Sequence, residues 1–493
     1  MTGGEQPVQP GAGGVSPLRS ALGRLGKHTA IYAMTGQLSR LVGFLLVPFY
    51  TAWLTTTDYG VNELLSQLIA VLSYVAGINL TTAMARYYFE QQDERGRRAV
   101  VSTTLLAVLV GAAGLAGLLA LGAAPIAALL SPGYPGLPLL VRLMLAILVL
   151  QMLRETWQRY LQAQERSTFY GVFMVAKVLV EVSLQIWFVA HEGLGLQGVF
   201  YGVLLSEAAS VVVLSALLLP HVGLSFSRPL FGLMLAYALP LIPNGVLQFC
   251  LHSGDRFILK GLASAEQVGL YAFAYKFGYI PNYLLITPFL LIWYPFVFSL
   301  RDEARQKDLI ARIAPWLMAA LTAVVLAESL FARQIAQLMA GDEAYVDSWR
   351  AIAIVCAGYW FWGLFQVVQT GFYVRKATAR LPLITAVAVV VNFGVNFALI
   401  PSLGFIGAAW ATLLAFVVLA LVAERAVRPV FAVPWPWRRI VTPAVGAAAV
   451  YGAGLALEPV AGLRSVAAQT AVKLVLLVGW AAWTWVGGFL RKD

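Results

Sequence analysis

Charge, cysteine and histidine are all scarce in this chain. Of its 493 residues 12% are charged and 60% hydrophobic, and mean hydropathy is +0.78. A soluble fold cannot hide that much apolar surface, so lipid is the solvent for most of the chain. The two cysteines, Cys250 and Cys356, lie inside apolar segments, which excludes a disulfide framework and leaves them as small packing residues. Four histidines without ligand spacing offer no metal site. A Gly-rich loop followed by Lys and Ser/Thr is also missing, so no built-in ATPase is indicated. Long polar loops are absent too. The largest connection on one side, about 332–350, holds only Arg333, Asp342, Glu343, Asp347 and Arg350 as charged groups. That is too little for the catalytic centre of a membrane glycosyltransferase, ligase or polymerase. No catalytic residue is assigned, and the sequence predicts a protein that is not an enzyme.

Long apolar runs are abundant. A membrane-crossing helix needs roughly 20 mostly apolar residues. Fourteen stretches qualify, at about 29–53, 61–85, 99–124, 137–158, 169–190, 196–219, 230–254, 267–299, 313–331, 351–373, 382–400, 406–424, 440–457 and 467–489. The fold class expected is therefore an all-α polytopic membrane protein. Residues 1–27, rich in Gly, Pro and Gln and without a small-residue cleavage site, are expected to be a disordered tail kept in the mature chain. The net charge of +11 could suggest nucleic acid, but the charges sit in short loops beside the apolar runs. Of the 34 basic residues, twenty-three fall in one set of loops and six in the other. The positive-inside rule then places both termini in the cytoplasm, as an even number of spans requires.

An internal repeat organises the chain. Gly60 and Gly269, Gln92-Asp93-Glu94 and Arg301-Asp302-Glu303, Leu129 and Leu338, and Gly195-Leu196-Gln197-Gly198 and Gly404-Phe405-Ile406-Gly407 all stand 209 residues apart. Tyr160 aligns with Tyr373, and the Glu181/Gln185 pair with Asn392/Asn396, after a drift of a few residues. Six spans per repeat is an even number, so the two lobes, 28–220 and 221–425, are expected to run parallel about an axis along the membrane normal, with the substrate between them. Residues 426–493 add two spans without counterpart, preceded by the interfacial anchor Trp435-Pro436-Trp437-Arg438-Arg439.

Polar groups inside the spans need a reason, because a charge at mid-bilayer costs ~2.5–3.5 kcal/mol on insertion scales. Arg40 lies near the middle of the first span; it lines a cleft or pairs with a carboxylate elsewhere. Asn244, Gln248, His252 and Asp255 form one stripe down the seventh span, either lining the cleft or bonding helix to helix. Arg256 follows at the stripe's outer end, where it and Asp255 read equally as a solvated pair. Lys276 sits in the eighth span among Tyr271, Tyr275 and Tyr279, which suit sugar stacking or plain packing. Gln366 and Gln369 share a face with Trp362 and Tyr373 in the tenth span, an aromatic-plus-amide combination open to the same two readings. Lys177 and Glu181 are one turn apart and make an internal ion pair, unless Glu181 couples transport to a proton or Na+. Glu207 has no obvious local partner and is the second coupling candidate. Arg86 and Arg154, near cytoplasmic ends, snorkel or recruit a headgroup; Lys473 is structural.

Certain motifs carry a family likeness over about residues 28–425. Pro48-Phe49-Tyr50 with Asp58-Tyr59-Gly60, then Asp255-Arg256-Phe257-Ile258 with Val268-Gly269-Leu270-Tyr271, resemble paired hairpins of the oligosaccharide-lipid flippases, in the multidrug/oligosaccharidyl-lipid/polysaccharide exporter superfamily. Asn392, Asn396, Ile400-Pro401 and Gly404-Phe405-Ile406-Gly407-Ala408 resemble that family's eleventh and twelfth helices. The resemblance implies alternating-access transfer of an undecaprenyl-diphosphate-linked oligosaccharide between leaflets of the cytoplasmic membrane, with a polymerase and glycosyltransferases as possible partners. It implies no cofactor beyond a coupling ion. Such a cargo wants cations for diphosphate (Arg40, Arg86, Lys276 and Arg256) and polar or aromatic groups for sugar (Asn244, Gln248, His252, Asp255, Gln366, Gln369, Tyr275, Asn392 and Asn396). Drug/cation antiporters and peptidoglycan-precursor flippases of the same superfamily are the alternatives, and a membrane polymerase or ligase is a more distant one.

Overall fold

The computed structural model describes residues 41–77, 79–300, 302–457 and 466–487. Every regular element among them is helical, and twelve helices are long and apolar enough to span a bilayer, or thirteen with one bent pair. In chain order the helices are α1 (Leu41–Trp53), the bent pair α2 (Thr56–Ala76) and α3 (Leu80–Glu90), α4 (Glu94–Leu121), α5 (Leu137–Ala163) and α6 (Ser167–His191). Then come α7 (Gly195–Val222), α8 (Arg228–Ser253), α9 (Ala265–Ser299), α10 (Glu303–Met339) and α11 (Glu343–Val374). The series closes with α12 (Thr378–Leu403), α13 (Phe405–Val427), α14 (Trp437–Leu457) and α15 (Val466–Val486). The expected first span is described only from residue 41, so α1 is its second half; Arg40 lies outside the described residues.

The apolar pattern is turned outward, as lipid demands. The apolar stretch of α6 is 11% buried against 78% for α11, although the two have almost the same hydropathy. Leu118, Leu121, Val172, Val212, Leu383 and Val390 all stand more than 60% exposed. In water such a surface would drive aggregation; in a bilayer it is the solvated face. Helix α10, at 37 residues, is about 55 Å long, well beyond the ~30 Å hydrocarbon core. Its first turns carry Glu303, which pairs with Lys307 at 2.7 Å and Arg375 at 2.8 Å, so the excess length lies at the end of the bundle rich in basic residues.

Local geometry repeats where the sequence does. Thr55 and Ser264, 209 residues apart, are the N-caps of α2 and α9, accepting from Asp58 N and Gln267 N. Asp93 and Asp302 cap α4 and α10 in the same manner, satisfying first-turn N–H groups that no helix can satisfy internally. Gly195 and Gly404 both hold a positive φ, +51° and +55°, where the chain turns into α7 and α13.

The two repeats meet at the end of the bundle poor in basic residues. There α2 crosses α9 at the equivalent glycines: a Cβ on Gly60 would fall 1.7 Å from the Ala265 carbonyl oxygen, and one on Gly269 would fall 1.9 Å from that of Thr56. Only glycine permits this approach. Thr51 of α1 accepts a hydrogen bond from Gly341 N at 2.8 Å, and Tyr345 donates to the Leu54 carbonyl at 3.0 Å, closing the same end. In the loop before α5, Tyr134 donates to Asp58; burial and that carboxylate hold its phenol above the ordinary tyrosine range. A second seam runs along α2, α3 and α8, through Tyr74 against Gly245 and the Tyr87 hydroxyl on the Leu233 carbonyl. Gly60→Ala is expected to wedge α2 from α9 and cost about 1–3 kcal/mol, seen as a lower unfolding midpoint of the purified protein in detergent.

Helices α14 and α15 lean on α10. Lys473 is buried and donates to Gln334 at 3.0 Å, and Trp480 donates to the Pro443 carbonyl at 2.9 Å. Lys473 is thus a strut between α15 and α10.

Candidate functional site

Two polar clusters lie within the spans. The first sits on the seam between the repeats, close to the Gly60–Gly269 crossing. Gly254 breaks α8 where it presses on Cys250 and the Phe393 ring, and a short helix, Asp255–Leu262, continues beyond it. The break turns Asp255 and Arg256 inward. Asp255, 1% exposed, accepts from Arg256 Nη1 at 2.8 Å, from the Tyr271 hydroxyl at 2.6 Å and from Thr412 Oγ1 at 3.1 Å. Arg256 reaches back across the seam: its Nε donates to Glu63 Oε1 of α2 at 2.9 Å, and its guanidinium lies 4.2 Å from the centre of the Tyr275 ring. The expectation of a solvated Asp255–Arg256 pair is corrected. Both are buried, because two acids and two tyrosines leave that arginine nothing to gain from water.

Lys276 lies beside this cluster. Eleven residues into α9, it is about 16 Å from the helix start, near mid-bilayer. Its ammonium stands 5.8 Å and 5.1 Å from the centres of the Tyr50 and Tyr59 rings, both from the first repeat. It is partly exposed, and among the described residues it has no ion pair or hydrogen bond. Tyr50 in turn donates to Gln185 of α6 at 2.5 Å.

The second cluster is buried inside the first repeat. Arg154 of α5 donates to Glu207 Oε2 at 2.6 Å and to Gln158 at 2.7 Å. Lys177 of α6 bonds to Glu181 and lies 3.1 Å from Glu207 Oε1. Two cations and two carboxylates balance. Glu207, expected to lack a partner, has two; its companions come from α5 and α6, distances in sequence at which spacing alone is silent. Glu181 keeps 25% of its side chain exposed, against 4% for Glu207.

Several other candidates pack instead of lining a cleft. Asn392 and Asn396 are fully buried, and Asn396 Nδ2 donates to the Asn392 side chain at 3.0 Å. Tyr275 is buried with its hydroxyl on that of Tyr359 at 2.7 Å, so this tyrosine of α9 packs in the core, while Tyr279 is half-buried. Gln369 is buried between the hydroxyls of Tyr294 and Tyr373. His252 sits edge-on to Trp362, 4.6 Å between ring centres, in an aromatic cluster with Phe416. Gln366 is half-buried, its Oε1 without a hydrogen-bond partner among the described residues. Arg86 pairs with Glu90 at 2.9 Å over the Tyr237 ring at the basic-rich end, half-exposed and far along the chain from the Lys276 cluster. Asn244 is exposed and Gln248 half-buried, and neither side chain has a protein hydrogen bond among the described residues.

Sequence reasoning missed Glu63, Gln67 and Glu328. Gln67 donates to Glu63 at 2.8 Å on the face of α2 that meets Arg256. Glu328, buried in α10, accepts from Cys356 Sγ at 2.7 Å. The signal was present: an acid within an apolar run is as costly as a base, and Glu63 and Glu328 lie inside the expected spans 61–85 and 313–331.

The sequence profile of the polysaccharide biosynthesis protein family matches residues 25–301, more than half of the chain. The chain belongs to that family. No curated protein matches the sequence. Among solved structures, the fold is shared with the lipid II flippase MurJ in an inward closed conformation, at 11% identity over 93% of this chain and 99% of that one, TM-score 0.74. An inward-facing multidrug resistance MATE family transporter of the MOP superfamily aligns at 16% identity over 79% and 94% of the two chains, TM-score 0.64. A MATE transporter from Vibrio cholerae aligns at 14% over 83% and 97%, TM-score 0.60. At these identities the likeness is one of fold. The family member described here is a multi-pass, all-α membrane protein.

Proposed function

We propose that this polysaccharide biosynthesis protein is a flippase that carries a lipid-linked oligosaccharide, held by its diphosphate, between the leaflets of the cytoplasmic membrane. One observation carries the reading: Lys276, a mid-span cation in the seam between the repeats, partly exposed and without a carboxylate partner among the described residues. A bilayer protein keeps such a charge for an anion. A lysine that no carboxylate pairs with offers a cationic drug no partner, which favours the lipid diphosphate over a drug/cation antiporter. Arg256 and Arg40 are the further phosphate cations in this reading, and Asn244, Gln248 and Gln366 are the amides for sugar. The two sets of six helices move as lobes. With the basic-rich end in the cytoplasm, the crossing of Gly60 and Gly269 shuts the outer side.

The test is transfer in vesicles. The full chain, reconstituted with a fluorescent undecaprenyl-diphosphate oligosaccharide, should expose the sugar to an external lectin or glycosidase, while a cationic dye is not accumulated. Dye uptake without lipid transfer, or new glycosidic bonds made by the protein alone, would replace the reading. Coupling falls to Glu181, the exposed acid of the first-repeat cluster: transfer driven by an imposed H+ or Na+ gradient should lose its gradient dependence in Glu181→Gln. Equal gradient dependence in both chains would remove Glu181 from that role.

A further inference from the structure

If Arg256 and Lys276 serve an anion, the empty protein must do something with them meanwhile. Two carboxylates bond to Arg256, and they are held very differently. Asp255 belongs to the second repeat and is bound there by Arg256, Tyr271 and Thr412. Glu63 comes from the first repeat. Its side chain is 18% exposed against 1% for Asp255, and both of its hydrogen bonds, from Arg256 Nε and Gln67 Nε2, fall on Oε1. Two cations against two acids leave the seam neutral; without Glu63 the second repeat keeps one net positive charge facing the cleft.

We propose that Glu63 is a built-in stand-in for the cargo's phosphate, a deepening that rests on the flippase reading above. While the site is empty, Glu63 neutralises Arg256 and ties α2 to the Asp255–Leu262 helix across the seam. A phosphate oxygen that takes the Arg256 Nε–H displaces Glu63 and removes the tie beside the Gly60–Gly269 crossing. Occupancy by an anion thus loosens the closed end, because the ligand binds the loosened state better than the tied one. A neutral or cationic molecule cannot compete with a carboxylate for a guanidinium, so selection of the cargo and release of the seam become one event.

Geranyl diphosphate, with geraniol as its neutral control, tests this on the purified full chain. Titration calorimetry should show Glu63→Gln binding the diphosphate about tenfold tighter than the parent, with geraniol unchanged. Thr56→Cys, buried where its carbonyl meets Gly269, reports the seam in a chain carrying Cys250→Ala and Cys356→Ala. Diphosphate should speed its reaction with a charged maleimide; Glu63→Gln should react fast without ligand. If Glu63→Gln does not fold, Glu63→Asp, which keeps the charge but shortens the reach, should show the same fast labelling. Diphosphate binding and labelling identical in the parent and the Glu63 variants would overturn this inference alone. No diphosphate binding by any of the chains would overturn the cargo reading, and this one with it.

Discussion

Lys276→Ala is expected to slow lipid transfer by roughly 10- to 100-fold while leaving the protein as stable as before, or more so. The two effects follow from one set of magnitudes. The ammonium near mid-bilayer costs ~2.5–3.5 kcal/mol to insert. It recovers part of that from the Tyr50 and Tyr59 rings, worth ~0.5–2 kcal/mol between exposed and desolvated limits. The balance is unfavourable, so truncation should not lower the unfolding midpoint. A charge-assisted bond to a phosphate oxygen contributes about 1.5–3 kcal/mol, so its loss should slow transfer by roughly 10- to 100-fold where the bond is made in the rate-limiting state. Lys276→Arg should retain much of the rate and Lys276→Gln little, since charge is the property used. The measurement pairs vesicle transfer with thermal unfolding of the same preparations. Unchanged transfer in Lys276→Ala would take the lysine out of the site; a fall in stability with normal transfer would make it a structural cation.

The sequence told more about the frame than about the site, for a physical reason. Apolar runs and the repeat are local: Asp93 with Asp302 and Gly195 with Gly404 each act within a turn or two, so spacing found them, although their service as caps and turns, like the Thr55 and Ser264 caps, is seen only in the structure. The twelve long helices follow from composition alone. Which polar group faces which is settled by contacts across the seam or between helices far apart in sequence. Arg256 looked solvated because nothing in its neighbourhood of the chain announces Glu63, 193 residues away. The Asn392/Asn396 pair looked like a cleft feature because two amides one turn apart fit equally well in a cavity or bonded to each other inside a core. Gly60 and Gly269 show the opposite case. Their 209-residue offset marked them as equivalent, and a parallel repeat puts equivalent helices at its axis, where they can touch.

Glu207→Ala should have the second large effect, and it should be on folding. Glu207 is shared by Arg154 and Lys177 at 2.6 Å and 3.1 Å, with its side chain 4% exposed. Deleting one partner of a buried ion pair leaves an uncompensated charge and costs about 3–5 kcal/mol, a large share of the 5–15 kcal/mol that typically holds a protein folded. Arg154 would be left with Gln158 alone, while Lys177 keeps Glu181. The expected result is a marked drop in unfolding midpoint and in yield of inserted protein. Glu181→Gln should change stability far less, because that acid is partly exposed and Lys177 still has Glu207. Replacing both members of the tighter pair, Arg154→Met with Glu207→Leu, should recover most of the loss, since an apolar pair of similar volume removes the stranded charge. A Glu207→Ala chain that folds normally but transfers lipid without regard to an ion gradient would reverse the assignment, making Glu207 the coupling group and the cluster around it a working part of transport.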